Sequence, residues 1–326
     1  MVSLLWLVCW IGIHVKGIRD LLHYVDDAFC ARFLSLLDSI GVPHEDVKQQ
    51  HGEVLEIIGF EVDLPAMTIR IPTESKRKLV TAIRDFIEKP PSPRQQSLRT
   101  WLRILGYANW ALNVFPLLKP ALNSAYDKVA GRKFMNAMIY INKRTREDLL
   151  WFAEQAELLE GVRMLTTEEW DAHEADFEIW GDASAMGLAF FSSLHKVAYI
   201  ADPIIDPERN FNIFYNEAIT VLAALEWAAS LNPVPRRLAI HTDSTTSFAI
   251  FNTLRALELY NPIIMASVKI RLQHNIDLRV FYVEGKKNVV ADALSRRAFS
   301  LARSLVPGLS IKYFMPPLDM TGAFKK

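Results

Sequence analysis

Two cysteines in 326 residues, Cys9 and Cys30, are too few for a disulfide framework and stand at no metal-ligand spacing, which points to a reducing, intracellular compartment. No stretch is long and apolar enough to span a bilayer. The opening "MVSLLWLVCWIGIHVKG" comes closest, but its apolar run of about 14 residues falls short of the ~20 required. It has no basic residue before Lys16 and no good small-residue cleavage site, so it reads as a buried helix or strand, neither an anchor nor a secretion signal. No internal repeat is visible. Net charge is also lacking: 37 basic and 37 acidic residues give +0 at pH 7, which argues at first against a polyanionic partner.

That zero is an average of opposites. From Arg70 to Arg146 there are 16 lysines and arginines against 4 acidic residues, and from Glu147 to Asp182 there is 1 against 12. A basic block beside an acidic one fits a segment that contacts a polyanion, followed by a solvated connector. Two helical faces of opposite charge packed together would give the same pattern. Apolar residues make up 51% of the chain, enough for a sizeable core in two or three domains.

The first 72 residues read as strands and short helices. "IRDLLHYV" runs up to the paired carboxylates Asp26 and Asp27, and "EVLEIIGFEVDLPAMTIRIP" reads as a hairpin turning at Asp63 to Pro65. Helices follow. "TESKRKLVTAIRDFIEK" carries Leu79, Ile83, Phe86 and Ile87 on one face, and "PPSP" breaks it. Ser92, Pro93 and Gln95 have the pattern of a cap, a first helical residue and a capping-box partner for the helix carrying Leu98, Trp101, Leu102 and Leu105. The aromatic stripe Trp101, Tyr107, Trp110 and Phe115 reads as core in preference to a base-stacking platform. Residues 117–160 continue as helix, interrupted near Gly131.

After the acidic stretch the pattern changes. Strand-like runs at 177–184, 187–191 and 196–201 precede a long helical run at 215–231. A strand at 237–244, helices at 245–259 and 261–275, a strand at 277–285 and a short helix at 289–299 complete it. The expected fold class is therefore α/β, α+β overall, with a five-stranded mixed sheet and flanking helices over 171–299. Residues 300–326 read as an irregular tail.

Four carboxylates stand at element ends within this last region. Asp182 closes the first strand, Glu217 opens the long helix, Asp243 closes the fourth strand and Asp292 lies in the last helix. Each alone has a plain structural reading: a turn aspartate, a helix cap, a second cap, and a partner for Arg296 four residues on. Strand ends at one edge of a sheet converge on a crevice, however, and four carboxylates gathered there need cations. Oxygen donors select Mg²⁺ or Mn²⁺, and two such ions about 4 Å apart clamp a phosphodiester for in-line attack by water. His241 shares Asp243's strand face but reads as a core or edge histidine, not as a ligand.

The set "WGDAS…NEAITVLAALEWA…IHTDST…VEGKKNVVADALSR" resembles the ribonuclease H domain of retroelement polyproteins, over about 120 residues with all four motifs. Its closing "KNVVADALSR" is similar to gypsy-type and tyrosine-recombinase (DIRS-like) retrotransposons. The resemblance implies that Asp182, Glu217, Asp243 and Asp292 bind two Mg²⁺ or Mn²⁺ ions and cut the RNA strand of RNA–DNA hybrids. It also implies substrate contacts at Ser184, Thr245, Lys286, Lys287 and Asn288. One departure is chemical: relatives often carry a histidine in the loop before the last carboxylate, where this chain has "EGKKN". The extra basic helix of some relatives has no room between 245 and 275. Arg99 and Arg103, in the basic block, are the expected substitute grip.

"LLHYVDD" resembles the metal-binding motif of reverse transcriptases, set in a hairpin of the palm. "IGF" resembles the primer-grip region, and "SLRTWLRILGYANWALNVFPLLKPAL" the thumb. The implied organisation is a partial palm over 1–72, a helical thumb or connection over 73–170, a ribonuclease H-like domain over 171–299 and a tail over 300–326. Polymerisation needs a third aspartate on a separate palm strand. The only acidic residue before the motif is Asp20, too near to serve, and the fingers have no counterpart. The resemblance thus implies a truncated retrotransposon reverse transcriptase, with Asp26 and Asp27 a vestigial polymerase metal site and hybrid-directed endonuclease activity retained. Two alternatives stand beside it: an inactive nucleic-acid-binding remnant, and an RNA-directed DNA polymerase completed by a partner chain. The expected partner is an RNA–DNA hybrid or other nucleic acid, with no membrane.

Overall fold

The computed structural model describes residues 23–24, 27–28, 53–57, 59–63, 65–89, 94–163, 170–206 and 210–318. The protein is mixed α/β, with nine α-helices among the described residues. Two units divide the chain: residues 1–76 with 160–167, and residues 77–159 with 168–326.

In the first unit, β1 (His23–Tyr24) and β2 (Asp27–Ala28) pair antiparallel with Tyr24 opposite Asp27. Asp26 lies outside the described residues. The segment read as one hairpin is a three-stranded meander of β3 (Val54–Ile57), β4 (Phe60–Asp63) and β5 (Thr68–Arg70). The additional turn passes through Gly59, at φ +78°, a conformation open to glycine without strain. The second turn is tied by the Ala66 amide donating to Asp63 Oδ1 at 2.9 Å. A short strand at Val162–Arg163 closes the sheet beside β5.

The helix α1 (Thr73–Glu88) begins in this unit and runs into the second, burying Leu79, Val80, Ile83, Phe86 and Ile87. These apolar residues recur at helical spacing, and Phe86 meets Trp101 edge to face at 5.0 Å. The next helix does not start at Ser92, which lies outside the described residues. Gln95–Ser97 form β6, paired with β7 (Met138–Tyr140), so their backbone groups serve a ladder and helix α2 (Leu98–Ala111) cannot begin earlier. Its cap is Ser97, whose side chain accepts from the Thr100 amide at 3.3 Å. Leu102 is exposed, and Ile104 takes the core position expected of it. Trp101 and Phe115 of the aromatic stripe are buried in the core, whereas Tyr107 and Trp110 are half-buried. A 3₁₀ turn at Pro116–Leu122 leads into α3 (Asn123–Val129), and α4 (Lys143–Leu158) follows, capped by Asn142.

The C-terminal layer is one mixed sheet. Its strands are β8 (Phe177–Ser184), β9 (Gly187–Ser192), β10 (Val197–Ala201), β11 (Arg237–Thr242), β12 (Asp277–Tyr282) and β13 (Ser310–Tyr313). The spatial order is β12-β11-β8-β9-β10-β13, with β8, β9 and β10 antiparallel to one another and the other pairings parallel. The sheet therefore has six strands, not five. The sixth comes from the segment read as an irregular tail, where "SIKY" follows helix α9 (Phe299–Leu305) and pairs with β10. Four residues bounded by Gly308 and Pro316, three of them exposed and one half-buried at an edge, carry little alternation to read.

Helix α5 (Ile213–Ala229) packs on the sheet face formed by Ile179, Ala183, Leu188 and Phe190. Helix α8 (Val289–Ser295) packs on the opposite face, over Ala189 and Phe191. Helices α6 (Thr245–Thr253) and α7 (Asn261–His274) lie between β11 and β12 in sequence. Helix α6 stops at Leu254, which takes a left-handed conformation at φ 56°, six residues before the expected end and with no glycine or proline to announce it. Among the described residues no helix is long and apolar enough to cross a membrane.

Candidate functional site

The four carboxylates come from four elements and meet at one edge of the sheet. Asp182 sits on β8 opposite Ala189 of β9, on the face covered by α8. Asp243 follows directly after β11, which runs parallel to β8 beside it. Asp292 lies in α8 and Glu217 in the second turn of α5. A close approach brings Glu217 to the strand end: a Cβ on Gly181 would lie 3.3 Å from Thr220 Cγ2, so only glycine lets α5 sit this near to β8 without displacement. The turn at Gly285–Lys287 also lies close, since a Cβ on Gly285 would stand 3.2 Å from Asp243 Oδ2.

Charge crowding marks the cluster. Asp182 is 6% exposed, and burial pushes its carboxyl up to about 7. A hydrogen bond from the Ser295 hydroxyl opposes that rise, while the neighbouring carboxylates of Asp243 and Asp292 add to it, and Asp243 lies within hydrogen-bonding reach. Glu217 is raised in the same way by burial and by Asp243, against a hydrogen bond donated by Ser244. Arg296 Nε donates to Asp292 Oδ1 at 2.6 Å, so the pairing read from the i, i+4 spacing is present. It coexists with the cluster instead of replacing it, because the Arg296 charge also reaches Asp182 and Asp243. A set of oxygen donors, one buried and three half-buried, in which burial and then acidic neighbours push one member up to about 7, fits a hard divalent cation, and Asp182, Glu217, Asp243 and Asp292 would hold it.

The expected substrate contacts divide. Thr245, Lys286 and Lys287 are exposed beside the site, with Lys286 2.5 Å from Glu284. Arg99 and Arg103 are exposed one turn apart on α2. Ser184 and Asn288 are buried instead. The Ser184 hydroxyl is buried, donates to the Ser295 carbonyl at 2.9 Å and accepts from the Met186 amide at 3.0 Å. The Asn288 side chain is 1% exposed and donates to the Gly181 carbonyl at 3.0 Å. Both tie α8 to β8, and the Asn288 Oδ1 is left without a hydrogen-bond partner. His241 is a buried histidine, as expected: it stacks on Trp180 at 4.2 Å, and its Nε2 lies 2.7 Å from Glu178. Asp27 falls in β2 of the first unit, and Asp26 lies outside the described residues.

Ser244 and Ser295 were missed by reading carboxylates alone. Their signals were present: Ser244 follows Asp243 directly, and Ser295 stands three residues after Asp292 on the same helical face. A tighter acidic group lies elsewhere. Among the described residues, Asp171, His173 and Glu174 have donor atoms all within 4.8 Å of one another, so the four carboxylates are spread more widely. Two ions would distribute ligands over such a span, whereas the exposed trio is accounted for by capping: the Asp171 amide donates to Glu174 Oε2 at 2.8 Å, and the Asp171 side chain accepts in return. No protein-family model matches the chain, and no curated protein matches it significantly.

Proposed function

We propose that residues 168–318 form a ribonuclease H-type endonuclease that cuts the RNA strand of RNA–DNA hybrids, within a retrotransposon-type reverse transcriptase segment. One observation carries the reading: Asp182, Glu217, Asp243 and Asp292 converge from four elements at one sheet edge, with Asp182 buried among its acidic neighbours and pushed up to about 7. The strand order, with three antiparallel strands beside two parallel ones and α5 across them, supports it as well.

Bound Mg²⁺ or Mn²⁺ would supply an activated water and neutralise charge on the phosphate. The chain's own residues hold and orient. The four carboxylates provide oxygen ligands, Ser244 and Ser295 fix Glu217 and Asp182 by hydrogen bonds, and the exposed Lys286, Lys287 and Thr245 face the phosphate backbone. Arg99 and Arg103 extend the grip by charge, and an A-form duplex is read through shape and 2′-hydroxyls. The test is incubation of the protein with end-labelled hybrid and Mg²⁺, beside Asp182→Asn and Asp243→Asn. Metal-dependent shortening of the RNA strand by the wild type alone is expected. Equal cleavage by all three overturns the reading.

A further inference from the structure

We infer that Ser295 is a positioning residue that orients the Asp182 carboxylate against α8, and with it sets the affinity of the site for divalent metal. The inference rests on the proposed metal-dependent reading and concerns a residue outside its four ligands.

Strand and helix periodicity together create the arrangement. On β8, Asp182 and Ser184 are two apart and share a face, while on α8, Asp292 and Ser295 are three apart and share one turn. Ser295 is 0% exposed and stands where these two faces meet. Its hydroxyl bonds Asp182 Oδ2 and also lies 3.0 Å from the Asp292 carbonyl in its own helix. Its backbone carbonyl accepts from the Ser184 hydroxyl at 2.9 Å. One residue thus holds the Asp182 side chain by its hydroxyl and the Ser184 side chain by its carbonyl.

Other contacts fix the helix ends, so that the Ser295 contact acts on orientation. Asn288 donates to the Gly181 carbonyl at 3.0 Å while its own carbonyl accepts the Asp292 amide at 3.0 Å. Beyond the other end, Arg297 donates to the Ala201 carbonyl at 3.0 Å and to Asp202 at 2.7 Å. These bonds hold α8 on the sheet without Ser295. What Ser295 adds is the direction of the Asp182 carboxylate, held against α8 by the Ser295 hydroxyl. Outer hydrogen bonds of this kind change metal affinity by roughly 10- to 100-fold when removed.

The experiment follows the Mn²⁺-induced thermal shift of the whole chain, with hybrid cleavage measured in parallel. Ser295→Ala is expected to raise the Mn²⁺ concentration giving half the maximal shift by about ten-fold or more. Ser295→Thr, which keeps the hydroxyl, should restore the wild-type midpoint, and Ser184→Ala should lower the melting temperature without moving it. If Ser295→Ala fails to fold, Ser295→Cys, with a weaker donor of similar size, repeats the measurement. An unchanged midpoint in the hydroxyl-lacking variants, with the wild type responding to Mn²⁺, overturns this inference and leaves the proposed function standing. No Mn²⁺ response and no cleavage by the wild type overturns both.

Discussion

Asp182 is the residue at which function and stability oppose each other. A carboxylate normally ionises near 4 in an unfolded chain, and burial among acidic neighbours pushes this one up to about 7 in the fold. Between those values the folded state binds more protons than the unfolded state. The contribution of Asp182 is therefore present in full below about pH 4 and is lost as pH rises through about 7. Asp182→Asn keeps a polar side chain within reach of Ser295 and removes the charge. In metal-free buffer at pH 8 it should stabilise the protein by on the order of 2 kcal/mol, and the gain should shrink toward pH 5, where the wild-type carboxyl is protonated. Thermal melts across pH read this directly; a gain that grows toward pH 5 would refute the assignment. The four acids were legible because their order and spacing repeat a recognisable pattern. The burial of Ser184 and Asn288 was not legible, because proximity to a motif does not tell whether a side chain faces solvent or a neighbouring element.

At the scale of elements, the site depends on how closely α5 rides on β8. Gly181 stands directly before Asp182, and a Cβ there meets Thr220 Cγ2 at 3.3 Å. Gly181→Val should force α5 outward, destabilise the fold by about 1–3 kcal/mol and lower hybrid cleavage further by displacing Glu217. Thr220→Ser removes the opposing methyl but keeps the hydroxyl that donates to the Asn216 carbonyl at 2.9 Å. Gly181→Ala combined with Thr220→Ser should then approach wild-type activity more closely than Gly181→Ala alone. Cleavage rates and denaturant midpoints of the three variants decide this, and no rescue would mean that α5 is placed by other contacts. Long elements such as α1 and α5 were legible from periodicity. Three features were not. The start of α2 depends on ladder bonds to Met138–Tyr140, some forty residues away, the end of α6 on a left-handed leucine, and β13 on an edge that β10 offers it.

At the scale of the whole molecule, charge and composition marked a boundary near residue 170, yet residues 77–159 and 168–326 form one unit. Polar bonds with large sequence separation join them. Asn261 is 1% exposed, donates to the Pro120 carbonyl at 3.1 Å and accepts from Asn123 at 2.6 Å. Arg144 pairs with Glu258 at 2.7 Å, and Lys119 donates to the Thr253 carbonyl at 2.7 Å. Leu117 and Trp151 pack against the core under α5 and α7. A charge boundary marks which surfaces meet solvent, whereas these joints lie in single asparagines and apolar residues that composition does not weigh. Asn261→Ala leaves the Asn123 side-chain amide without its acceptor and the Pro120 carbonyl with only the Asn123 backbone amide, because alanine replaces neither bond. The expected loss is about 2 kcal/mol in equilibrium unfolding, with one transition retained by the unit. If residues 168–326 unfolded with an unchanged midpoint while residues 77–159 melted separately, the C-terminal layer would be independent of the helical block. A single transition moved to lower denaturant would mean that the basic helices carrying Arg99 and Arg103 fold together with the carboxylate site.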